Sequence, residues 1–329
     1  MGLLLSILWG FLPMIIFVLI VYSLDRYEKE PRSLIFGVFM WGLLVAGVGA
    51  FIINTTVQLS LTMLGSENSY AEFATSTLVA PVIEEFLKGL AVLLVFIRKR
   101  QEFDSILDGI VYAAVTALGF AALENTYYIY TFGYLKNGFE GLWVLVFVRV
   151  IMVGWQHPFY TAFFGIGLAI YRMRPAGFIK NAAPFLGFVM AVLAHSTHNL
   201  LTTVTGDGLT NLAFTAFDWL GWGFMLWFIF FNIRREKRLM QQYLYEELDF
   251  GTLSPLQYAT ACFPERRFRA HLAAIGQRRY RATLRFYQLL GELTHKKNQL
   301  ASLGEEQGNS TAVEQLRAEI THLAPFISA

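Results

Sequence analysis

Seven stretches of this 329-residue chain stay apolar long enough to cross a lipid bilayer, roughly 3–24, 34–53, 73–97, 106–129, 142–171, 182–204 and 214–233. About 20 residues of α-helix cover the ~30 Å of a hydrocarbon core. In lipid the backbone amides must be satisfied within the protein, so such segments become helices. The predicted fold class is therefore all-α: a polytopic membrane helix bundle of about seven transmembrane helices. Composition agrees, with 55% hydrophobic and 15% charged residues against the ~25% charged of a soluble domain. The single cysteine, Cys262, can form no internal disulfide, which argues against a secreted protein. Residues 1–22 lack a basic n-region and a small-residue cleavage site, so they are expected to be a retained first span.

Cations set the orientation. Alternate loops hold Arg26, Lys29 and Arg32, then Arg98, Lys99 and Arg100, then Arg172, Arg174 and Lys180, whereas the intervening loops hold Lys136 alone. The positive-inside rule then places the N-terminus outside and the C-terminus in the cytoplasm, where Arg234, Arg235, Lys237 and Arg238 follow the last span. Two domains are predicted: a transmembrane domain, 1–233, and a basic helical cytoplasmic tail, 234–329, with 14 Lys or Arg against 10 Asp or Glu. Helical patterning covers 264–298 and 310–326, separated by a loop at 304–308. Arg266, Arg267, Arg269, Arg278, Arg279, Arg281 and Arg285 either lie on an anionic lipid surface, each worth about 1 kcal/mol there, or form a solvated face. No nucleic-acid motif is present, and no nucleic-acid partner is expected.

Charges inside the spans carry the chemistry. A carboxylate at bilayer depth costs at least ~2.5–3.5 kcal/mol and marks a functional site by default. Glu84 and Glu85 sit together in the third segment, with Lys88 three and four residues on and so beside both on a helix surface. Pro81 just before them favours a kink that admits water. Glu124 and Asn125 lie in the fourth segment, His157 in the fifth, and His195, His198 and Asn199 in the sixth. His195 and Asn199 share a helix face, with His198 at its edge. Phe86 and Phe120 are placed to wall the cavity. A lone membrane histidine is ordinarily a packing residue; carboxylates, imidazoles and amides on four spans need a common site.

In this order and on successive segments, Glu84-Glu85-x-x-Lys88, Phe120-x-x-x-Glu124-Asn125, His157 and His195-x-x-x-Asn199 resemble the PrsW family of intramembrane proteases. That family is distantly similar to the type II CAAX prenyl endopeptidases and to bacteriocin-processing membrane proteases. The resemblance covers roughly residues 70–205. It implies an integral, multi-pass protein of a prokaryotic cytoplasmic membrane that hydrolyses a peptide bond of a membrane-protein substrate, typically a single-span regulatory protein such as an anti-sigma factor. It implies that Glu84 activates water, that Glu85 and Lys88 hold and tune it, and that His195 and Asn199 donate to the oxyanion; which histidine partners the base is left open, with His157, oriented by Glu124, the expected one. Lys88 stands one residue nearer than the arginine of the CAAX group, and Glu124 stands where that group has histidine. No cofactor is expected in this reading. The alternative is Zn²⁺ held by His157, His195 and Glu124 or Glu84 with a position open for water, although the H-E-x-x-H spacing is absent. A different class of alternative, a proton-coupled carrier or membrane scaffold, would draw Arg149 and Asp218 into a relay.

Overall fold

The computed structural model describes residues 1–204, 208–305 and 308–327, with side chains outside 204–214. The described residues form helices and no strands. Helix α1 is Gly2–Leu24, α2 is Arg32–Met63, and α3 spans 68–98. Helix α4 spans 106–134 and α5 spans 135–152; α6 is Gln156–Met173, α7 Phe178–Val204 and α8 Gly208–Asp249. The remaining helices, α9 (Pro255–Cys262), α10 (Pro264–Gly276), α11 (Tyr280–Leu303) and α12 (Asn309–Leu323), form the tail.

Helix α4 is the hub of the bundle because its residues are small and apolar on every side. Ala113, Ala114, Ala117, Ala121 and Ala122 are all buried, and α1, α2 and α6 pack around them. Gly109 on α4 meets Gly165 on α6 so closely that a β-carbon on either would run into the other's carbonyl, the close approach that small residues permit between membrane helices. A capping box starts α4 at the bundle edge: Ser105 Oγ accepts from the amides of Leu107 and Asp108 at 3.0 and 3.3 Å, and Asp108 Oδ2 accepts from the amide of Ser105 at 2.6 Å. Large apolar side chains, among them Leu4, Leu19, Phe51, Phe185 and Leu220, are exposed on the outer surface, as a lipid-facing surface requires.

Two departures from regular helix bear on the site. The segment expected as one span over 142–171 is two helices. Val153 leaves helical geometry (φ −124°, ψ 13°), and α6 begins inside the bundle with Pro158 in its first turn, where an amide is not needed. Irregular backbone at membrane depth persists only where protein or a cavity surrounds it. The sequence predicts a kink at Pro81; the structure has a π-type turn at Thr75–Val79 just before it, and Ala80–Arg98 is α-helix from there. Such turns cluster near functional sites.

Five helical runs among the described residues are long and apolar enough to cross a membrane: Gly2–Leu24, Arg32–Met63, Ile106–Met173, Phe178–Thr203 and Thr215–Asp249. The run Ile106–Met173 contains both the fourth and fifth expected segments, folded back at Gly138, whose φ of 61° suits a residue without a β-carbon. Helix Ala80–Arg98 carries Glu84, Glu85 and Lys88 within its 19 residues, and these charges lower its apolarity.

Helix α8 runs unbroken through the expected boundary at 233, from the membrane bundle into the tail. The tail core contains Leu244, Phe286, Tyr287, Leu289, Leu290 and Leu293, and Tyr27 from the α1–α2 loop is buried within it. Arg267 is buried too and donates to the carbonyls of Tyr27 and Tyr287 at 3.0 and 2.9 Å. The expected lipid-facing arginine cluster is thus smaller than its sequence. Arg267 binds the protein, and Arg285 pairs with Glu292 and Glu319 at 3.0 Å. Arg266, Arg269, Arg278, Arg279 and Arg281 remain exposed.

Candidate active site

Helices α3, α4, α6 and α7 bring Glu84, Glu85, Lys88, Glu124, His157 and His195 into one network. Glu85 is its centre and is 1% exposed. Its Oε1 accepts from Lys88 Nζ at 2.5 Å and lies 2.9 Å from His195 Nδ1, while its Oε2 accepts from Thr161 Oγ1 at 2.8 Å. Three neighbouring groups thus meet this carboxylate, which offsets its desolvation. Lys88 is fully buried, lies 3.3 Å from His157 Nδ1, and sits 4.6 Å over the Phe120 ring, a cation–π contact in a dry setting. His157 Nε2 in turn lies 2.9 Å from Glu124 Oε2, and Arg149 closes the chain on the same oxygen.

Hydrogen-bond logic assigns the tautomers. Lys88 has only protons to give, so His157 accepts at Nδ1 and donates through Nε2 to Glu124. Glu85 has only lone pairs to give, so His195 donates through Nδ1 and, when neutral, presents a bare Nε2. That Nε2 lies 3.8 Å from Glu84 Oε2, a buried oxygen with no hydrogen bond. The other oxygen of Glu84 accepts from Asn54 Nδ2 at 3.3 Å. Tyr160 stacks on His195 with ring centroids 4.9 Å apart, and its buried hydroxyl has no hydrogen bond. Phe120 meets the His157 ring edge-on at 5.0 Å. The imidazole beside Glu84 is thus His195, while His157 is tied at both nitrogens.

Four of the residues singled out in the sequence stand outside this core. Asn125 Oδ1 accepts from Arg149 Nε at 2.9 Å, behind Glu124. Asn199 Nδ2 donates to the Ser76 carbonyl at 2.8 Å, tying α7 to the π-type turn that precedes Glu84. His198 joins Gln156 and Asp218 in a neighbouring cluster, with Nδ1 2.8 Å from Asp218 Oδ2. Phe86, exposed at 51%, does not wall the site. Asn54, Thr161 and Tyr160 are the additions that sequence reasoning missed. Thr161 follows His157 by four residues and so shares its helix face, which is the one signal that points to it.

The donor set also fits a divalent metal. Glu84, His157 and His195 each present a ligand atom, all within 4.8 Å of one another. Glu85 stands behind His195 and Glu124 behind His157, the carboxylate support usual for metal-binding imidazoles. Glu84 Oε2 and His195 Nε2 are free for the purpose; His157 would have to release Lys88 or Glu124.

A sequence model described as the PrsW family intramembrane metalloproteases matches residues 30–233. The chain is 33% identical over 171 residues to Protease PrsW of Geobacillus kaustophilus, covering 51% of this chain and 68% of the relative. It is 32% identical over 197 residues to Protease PrsW of Clostridioides difficile, covering 60% and 79%, and 28% identical over 216 residues to that of Bacillus subtilis, covering 64% and 88%. No solved structure matches the chain. The chain belongs to the PrsW family: it is an integral membrane peptidase.

Proposed function

We propose that this PrsW-family protease cleaves a membrane-anchored, single-span regulatory protein of the anti-sigma-factor kind, using a water held between Glu84 and His195. The observation that carries the reading is the gap between Glu84 Oε2 and His195 Nε2: two buried acceptors 3.8 Å apart, one without any hydrogen bond. A water there donates one proton to each and keeps a lone pair for the scissile carbonyl carbon. As the C–O bond forms, Glu84 takes a proton from the water and later delivers it to the leaving amide nitrogen, so charge and protons balance. Glu85 and Lys88 keep the His195 ring in the tautomer that leaves Nε2 bare. The Tyr160 hydroxyl, buried and lacking an acceptor, is the donor proposed for the oxyanion, a role worth ~2.7–4 kcal/mol. Asn199, engaged with Ser76, serves to place α7.

A second reading is supported by the three converging donors and by the description of the matching family as metalloproteases. In it Glu84, His157 and His195 hold a divalent metal, which would polarise the carbonyl and lower the pKa of water.

Glu84→Gln and His195→Ala should each stop cleavage of a co-expressed substrate without lowering membrane expression; cleavage that persists in both would sink the assignment. Chelation of the purified protein separates the readings. Loss of activity on chelation and its return with zinc would establish the metal.

A further inference from the structure

A second group of metal-type donors, sharing no residue with the active site, joins three segments that the family match does not unite. Glu28 comes from the α1–α2 loop, Asp104 from the α3–α4 loop and His295 from tail helix α11; each offers one ligand atom, all within 4.8 Å of one another. His295 and Asp104 are 3% and 4% exposed. His295 Nδ1 lies 3.4 Å from Asp104 Oδ1, and His295 Nε2 lies 3.8 Å from Glu28 Oε2. Neither Glu28 Oε2 nor His295 Nδ1 has a hydrogen bond. Buried polar atoms are rarely left so, and both belong to the same three-residue cluster.

The surrounding charge sharpens the point. Asp25, Glu30 and Glu236 are buried nearby and act electrostatically on one another and on Asp104 and Asp108. Asp108 is satisfied by Ser105, and Glu30 accepts from Tyr112. The cations that reach this nest include Lys29, whose ammonium donates to the Tyr22 carbonyl at 2.6 Å, Lys296, 3.7 Å from Asp104 Oδ2, and Arg267, which feels the charge of Asp25. Lys296 leaves Asp104 Oδ1 open toward His295.

We propose that Glu28, Asp104 and His295 form a structural binding site for a first-row divalent cation, with Zn²⁺ the best match to one imidazole and two carboxylates. The ion would fasten the tail to the two basic-side loops of the membrane bundle, beside the contacts that Tyr27 already makes with the tail core. It lies outside the catalytic network, and Glu28 and His295 lie outside the matched residues 30–233. Its role is to hold the tail, not to take part in peptide hydrolysis.

The test uses full-length protein in detergent, stripped of metal, in a Glu84→Gln, His195→Ala background that removes two of the three donors at the active site. Zinc content, and Co²⁺ absorption as a spectroscopic probe, are measured with and without His295→Asn or Glu28→Gln. Hydrogen exchange across 264–303 is followed alongside. The expected result is one ion per chain, Co²⁺ d–d bands in the visible, and tail protection that rises with Zn²⁺. Either further variant should weaken Zn²⁺ binding about tenfold or more. Glu28→Gln changes a partly exposed side chain (21%) and so tests the site even if His295→Asn misfolds. If tail exchange is indifferent to Zn²⁺ and chelator, and no ion is retained, the three groups are an ion triad centred on protonated His295 and the proposal fails. Because the background lacks the catalytic donors, the result is independent of whether the catalytic reading stands.

Discussion

His195 Nδ1 lies 2.9 Å from Glu85 Oε1 in a pocket where both side chains are almost wholly buried. Glu85 is therefore the residue that orients the imidazole, and Glu84, one position earlier, faces the opposite ring nitrogen. In the proposed reaction the two adjacent glutamates divide into a positioning group and a reacting group, since successive helical residues point ~100° apart.

This division predicts a separable phenotype. Glu85→Gln leaves the buried Lys88 ammonium without its carboxylate, which should cost about 3–5 kcal/mol of stability, and should lower kcat about 10- to 100-fold as the anionic acceptor that orients His195 becomes a neutral amide. Adding Lys88→Met removes the stranded charge, so thermal stability should return while activity stays low. A double variant with wild-type kcat would show that Glu85 only balances charge.

Tyr160 and Asn199 should behave differently. Tyr160→Phe deletes the hydroxyl proposed to meet the oxyanion while keeping the ring stacked on His195, so kcat should fall about 10²- to 10³-fold with KM unchanged. Asn199→Ala removes a hydrogen bond to the Ser76 carbonyl and should lower thermal stability by about 1 kcal/mol with little change in kcat. Steady-state kinetics on one peptide substrate decides; a reversed pattern would return the oxyanion role to Asn199.

Junction stability should depend on pH. Burial pushes the Asp25 carboxyl up to about 7 from the ~3.9 of an unfolded chain. Lys29 and His295 pull it down and Asp108 pushes it up; Glu236 and Arg267 also feel its charge. The folded protein holds this proton more tightly than the unfolded chain. Its stabilising contribution is complete below about pH 4 and disappears as pH rises through about 7. In the absence of metal, Tm should fall between pH 5 and 8, and Asp25→Asn should reduce the slope. Glu28, Glu30 and Asp104, also raised by burial, keep the remainder. A slope unchanged in Asp25→Asn would remove Asp25 from the effect.

Much of the network is legible in the sequence because charged and polar groups in apolar helices are conspicuous: Glu84, Glu85, Lys88, Glu124, His157 and His195 stand out by their cost. Thr161 and Asn54 do not. A threonine hydroxyl ordinarily satisfies itself on its own helix, so nothing local reveals that Thr161 reaches Glu85. Arg149 reads from sequence as a relay group; in the structure it clamps Glu124 and Asn125. Asn199 illustrates the opposite case, since its spacing from His195 places it on the right face while Ser76 on another helix claims its amide. His198 likewise turns to Asp218.

The sequence alone determined that this chain is a helical membrane protein with a polar centre, because apolar length and the cost of intramembrane charge are properties of segments, independent of their neighbours. Tertiary structure decided which imidazole meets Glu84, where the fifth span breaks, and that Arg267 and Tyr27 join the tail to the bundle. Those outcomes depend on how helices distant in sequence turn toward one another, and side-chain direction across a bundle is set by packing that no single segment encodes.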